Sequence, residues 1–116
     1  MQTTTLYRPV SKGELDLIMA SGYKAFPPRL PEQPIFYPVT NLEYARQITV
    51  EWNLPFYGNG YVTQFEVESA YLSQFKVETV GGEMHTELWV PAEELANFNQ
   101  HIVGKILVVE SYEREK

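Results

Sequence analysis

Four prolines fall between residue 27 and residue 34 of this 116-residue chain, and they limit what its first third can become. Proline locks φ and offers no backbone donor, so neither a helix nor a central strand runs through Ala25 to Gln33. That stretch reads as an ordered but irregular loop. Ahead of it, Leu6-Tyr7-Arg8-Pro9-Val10 reads as a short strand whose proline suits an edge or an end. Ser11 and Glu14 then have capping-box spacing, Leu15, Ile18 and Met19 recur at helical intervals, and Gly22 fits a left-handed stop. A first helix over roughly 11–21 follows. Beyond the prolines, Ile35-Phe36-Tyr37-Pro38-Val39 reads as a buried strand. Thr40 to Glu43 repeats the capping pattern, and Leu42, Ala45, Ile48 and Trp52 make one apolar stripe. The stripe predicts a second helix ending near Asn53, with Trp52 in the core.

The second half alternates. Tyr61, Thr63, Phe65 and Val67 share one face of a predicted strand, and Ser69 to Phe75 suits a short helix or turn. Lys76 to Val80 is a strand candidate stopped by Gly81-Gly82. In the segment 84–90, Thr86, Leu88 and Val90 share one face while His85, Glu87 and Trp89 share the other. Pro91 opens a short helix, with Glu93 and Glu94 near its positive end. Gly104 closes that region, and Lys105 to Tyr112 makes a last strand. Without a linker, repeat or low-complexity tract, the expectation is one compact α+β domain over 1–116, ordered from about 6 to 112. It should hold a mixed or antiparallel curved sheet and about three helices.

Composition narrows the chemistry. The net charge of −6, with nine basic residues scattered along the chain, argues against nucleic acid as a partner, because phosphate neutralisation supplies most of such affinity. No run approaches the ~18 consecutive apolar residues of a membrane helix, and no basic-then-apolar leader opens the chain. Lacking cysteine, the chain forms neither disulfides nor thiolate metal sites, which suits the cytoplasm. His85 and His101 are sixteen residues apart with no third clear ligand, and no metal is expected. Templates built on a cysteine nucleophile or a strand-turn-helix serine are absent.

The strings LYRPV, AFPPRLPEQPIFYPVTNLEYA and HTELWVPAEELANFNQHIVGKI resemble a family of small bacterial proteins carrying ADP-ribosylation/crystallin labels. The resemblance covers Leu6 to Val109. More distantly, the element order resembles the ADP-ribosyltransferase fold. That resemblance implies NAD as substrate and cleavage of its nicotinamide–ribose bond through a cation-like transition state. It places Arg8 at the first-strand position that holds ribose or phosphate, Tyr37 at the second-strand position over the nicotinamide, and Glu87 at the late-strand position that stabilises positive charge. Phe36-Tyr37-Pro38 stands where the arginine-type families carry Ser-Thr-Ser, and Arg8 where another group carries histidine.

Two further residues join the candidates. Arg29 is a second phosphate ligand held stiffly by its prolines, and His85 is a neighbour able to tune Glu87. A buried Glu87 needs a partner, for which Arg8 is nominated. Each residue also has a plain structural reading: Arg8 in a surface ion pair, Tyr37 packed in the core, Arg29 solvated, His85 a polar strand residue. Two functions therefore stand side by side. One is an NAD-binding, transferase-like domain with Glu87 and Arg8 as its catalytic pair. The other is a non-catalytic module on a degenerate version of the same fold, binding a nucleotide or a protein partner.

Overall fold

The computed structural model describes residues 2–79 and 86–113. Its centre is strand β3, Asn59–Glu68, where Tyr61, Val62, Thr63, Phe65 and Val67 are all buried. Strand β1, Thr3–Val10, lies antiparallel along one edge of β3, and strand β6, Ile102–Glu113, along the other. A second sheet takes strand β2, Ile35–Phe36, with β5, Thr86–Pro91, and β4, Lys76–Thr79, again antiparallel.

The proline at position 38 explains why β2 is only two residues long where five were expected. Pro38 cannot donate, yet its carbonyl accepts from the Leu88 amide at 2.9 Å. Val39 then exchanges two 2.8 Å bonds with Tyr7 of β1 and bridges Glu87 of β5. Residues 37–39 thus link the two sheets without forming a regular strand between them.

Helix α1, Lys12–Ala20, begins at Ser11, whose hydroxyl accepts from the Glu14 amide, and ends before Gly22 at φ 78°. The second predicted helix is broken: α2, Leu42–Ile48, runs into a π turn, Thr49–Asn53, and then into α3, Leu54–Tyr57. A one-turn helix α4, Ser69–Leu72, follows β3, and a 3₁₀ turn, Ala92–Glu94, leads into α5, Leu95–Gln100. Gly104 lies inside β6 at φ 80°, so it kinks the strand instead of preceding it.

The main core gathers Phe26, Phe36, Phe65 and Phe98 as edge-on or tilted ring pairs, an arrangement their quadrupoles favour. A smaller cluster of Val39, Ala45 and Val62 joins α2 to the sheets. The proline-rich segment is irregular and pinned. Phe26 is buried, and Asn99 meets its backbone in both directions at 3.0 Å. No helix among the described residues is long and apolar enough to cross a membrane.

Trp52 departs most from expectation: it is 69% exposed. A π turn advances each residue by a smaller angle than an α turn, so the stripe lags and Asn53 faces β3 in its place. The fit there is close, since a Cβ on Gly60 would stand 2.6 Å from Thr49 Cγ2 and 3.3 Å from Asn53 Cβ.

Candidate functional site

Leu6, Arg8 and Val10 alternate inward on β1, so Arg8 occupies a core position between two aliphatic residues. Its backbone is held by the buried Thr63 hydroxyl, which donates to the Arg8 carbonyl at 2.7 Å. The side chain is only 9% exposed as a residue, and a cation so placed requires an anion with matching geometry. Glu14 supplies it. Arg8 Nε donates to Oε2 at 2.7 Å and Nη2 to Oε1 at 3.0 Å, a parallel bidentate pair. The guanidinium carbon also lies 4.6 Å from the centre of the Phe36 ring.

This corrects two expectations. Arg8 is paired with Glu14 of α1, not with Glu87, and the pair is largely buried, not on the surface. Glu14 in turn accepts from Arg8 in place of reaching back to its own helix cap.

Glu87 finds other donors. Trp89 Nε1 donates to Oε1 at 3.1 Å and the Tyr44 hydroxyl to Oε2 at 3.4 Å. Burial, then the nearby Glu87 charge, raises the Tyr44 phenol above its ordinary value, so it remains a donor at neutral pH. The alternation of β5 holds, with Leu88 and Val90 buried and Glu87 and Trp89 on the opposite face. Tyr37 is 37% exposed and its ring meets Trp89 edge-on at 5.8 Å. It is therefore not packed into the core.

Arg8, Tyr37 and Glu87 line one recess of about 410 Å³, together with Trp89 and Asn53. Arg29 lines a neighbouring recess of about 370 Å³, and Arg8, Pro9 and Asn53 belong to both. The two hollows form one cleft with Arg8 in the dividing wall. Its first chamber offers an aromatic wall and an oriented carboxylate. Its second offers guanidinium and proline. His85, the remaining candidate, lies outside the described residues.

Sequence reasoning missed Asn53, Glu14 and Tyr44. The capping box had assigned Glu14 a local role, and Tyr44 precedes the stripe residue Ala45 on α2. Asn53 reaches the cleft only because of the π turn, for which the apolar spacing gave no signal. Among the described residues no three His, Cys, Asp or Glu side chains gather as a metal-binding group. Comparisons with protein-family models, curated proteins and solved structures found no match.

Proposed function

We propose that the cleft binds a nucleotide of the NAD type and acts at the bond between its nicotinamide and ribose. One observation carries this reading. Arg8, Tyr37 and Glu87, separated by up to 79 residues (87 − 8) in the chain, line the same recess. The chemistry of the lining suits such a ligand. Tyr37 and Trp89 offer π surfaces for a planar ring. The Glu87 carboxylate, oriented from two sides, can accept from ribose hydroxyls and oppose positive charge at the anomeric carbon.

In the reaction the C–N bond breaks and its electron pair leaves with the ring, releasing neutral nicotinamide. The ribosyl cation is then captured at the anomeric carbon by water or another nucleophile, which gives up a proton. Glu87 stabilises the cation-like state, a contact that is stronger there than in the ground state. Arg8, tied to Glu14, shapes the wall beside it.

Calorimetric titration of NAD into wild type and Glu87→Gln, with nicotinamide release followed by chromatography, tests the reading. Wild type should bind and release nicotinamide. Glu87→Gln should bind comparably and release it about 100-fold more slowly. Absence of binding up to about 1 mM, roughly −4 kcal/mol, would remove the NAD reading. A non-catalytic interaction module would then stand in front, favoured by the exposed Trp52 and by the exposed Phe56 packed against the cleft residue Tyr57.

A further inference from the structure

The chamber on the Arg29 side has a charge balance unlike that of the chain around it. Its charged lining residues are Arg8, Arg29 and Glu14, which sum to +1 (two guanidiniums less one carboxylate) on a protein of net charge −6. Glu14 is already engaged by Arg8 through both of its oxygens. Arg29 is left differently placed. Its Nε is buried and has no hydrogen-bond partner among the described residues. Leaving a buried donor unpaired is costly, and more so when the group is charged. Burial first, and the like charge of Arg8 second, lower the Arg29 pKa from its ordinary value. Both penalties are relieved by an anion placed in the chamber.

The surroundings hold that arginine ready. Pro27 and Pro28 precede it, and the Asn99 bonds to Phe26 anchor the loop just upstream. Gln33 folds back so that its Oε1 accepts from the Leu30 amide at 3.3 Å, leaving its N–H₂ group to donate. Little entropy is then lost when a ligand is gripped.

We propose that this chamber is an oxyanion subsite in which Arg29 engages a phosphoryl group, while Arg8 acts as a positioning residue fixed by Glu14 and Phe36. The subsite rests on the cleft being a ligand site but not on the ligand being NAD. The phosphoryl group can belong to the diphosphate of a dinucleotide or to a second, phosphorylated substrate.

Inorganic pyrophosphate is the probe, titrated calorimetrically at low ionic strength into wild type, Arg29→Gln, Arg29→Lys and Arg46→Gln. Arg46 is an exposed arginine paired with Glu110 that lines neither chamber, so its variant removes the same charge from outside the cleft. Wild type should bind, with affinity falling as salt is added. Arg29→Gln should lose at least about tenfold, which is 1.4 kcal/mol. Arg29→Lys should fall between, since it keeps the charge and loses the fork, and Arg46→Gln should match wild type. Without ligand, Arg29→Gln should melt no lower than wild type, because a buried donor with no partner among the described residues has been removed. A structural arginine would show the reverse.

Competition identifies the source. Pyrophosphate that displaces NAD assigns the subsite to the dinucleotide, and simultaneous binding assigns it to a second substrate. If NAD does not bind at all, pyrophosphate binding lost in Arg29→Gln still supports the subsite. The proposal is overturned if wild type fails to bind pyrophosphate up to about 10 mM, or if Arg29→Gln binds it as wild type does.

Discussion

The two chambers share a wall and differ in how they are built. The Glu87 chamber is strand-built: β1, β5 and the sheet-linking residues 37–39 place Arg8, Glu87 and Tyr37 by backbone pairing. The Arg29 chamber rests on a loop and a helix start, with prolines in place of a ladder and one side-chain amide, Asn99, as its anchor. In the first, the charged group already has its donors. In the second, a guanidinium is left with a donor unmet among the described residues. A satisfied carboxylate can be held at rest until positive charge develops nearby, whereas an unsatisfied cation seeks its partner in the ground state. Under the proposed function, transition-state work would fall to the first chamber and binding work to the second.

The wall between them gives the largest expected effect. Arg8→Ala leaves Glu14 partly buried without its cation and removes the contact with Phe36. It should cost about 3 kcal/mol of stability, a fall of roughly 10 °C in thermal unfolding. Converting both partners, as Arg8→Leu with Glu14→Leu, should recover much of that loss, because no charge is then stranded. If Arg8→Ala melts like wild type, the pair does not support the wall and the division into two chambers loses its basis.

Next comes the seat beneath Asn53, the residue that belongs to both chambers besides Arg8 and Pro9. A methyl group at position 60 would meet Thr49 Cγ2 at 2.6 Å, with the facing π turn obliged to move. Gly60→Ala should therefore destabilise by about 1–3 kcal/mol, read by denaturant unfolding. It should also weaken NAD and pyrophosphate together. A variant of unchanged stability would mean that the helix yields easily and that the close approach is incidental.

A finer cut separates the chambers. Trp89→Leu removes the indole that both faces Tyr37 and donates to Glu87. NAD binding should weaken about tenfold, or 1.4 kcal/mol, while pyrophosphate binding stays as in wild type. Arg29→Gln should do the opposite to pyrophosphate. Equal losses of both ligands in both variants would show the cleft to be one undivided site.

What could be read in the sequence follows the same line. Alternation on β5 placed Glu87 and Trp89 on one face, and alternation on β3 gathered Tyr61, Thr63, Phe65 and Val67, all buried. These are period-two statements that hold wherever a strand forms. The capping serine and left-handed glycine of α1 were equally local and equally legible. Partners were not. That Arg8 meets Glu14 depends on where α1 turns back against β1, and that Glu87 meets Tyr44 depends on a contact 43 residues away. Tyr37 was given a strand environment by its neighbours, but Pro38 ended the strand and left the ring at the cleft.

The smallest expected effect tests the one helical reading that failed. An α-helix carried through to Asn53 would aim Trp52 at the core, where its truncation would cost about 3–5 kcal/mol. The π turn leaves it 69% exposed, so Trp52→Ala should change stability by no more than about 0.5 kcal/mol. Asn53→Ala, one residue on, should likewise leave folding nearly intact but weaken ligands of both chambers, because Asn53 lines both. The pair of variants reads the helix register directly. A large stability loss at 52 together with unchanged binding at 53 would restore the α register and take Asn53 out of the cleft. The expected pattern, silence at 52 and a binding loss at 53, would mean that one widened turn gives up a core tryptophan and brings a polar side chain to the place where the two chambers meet.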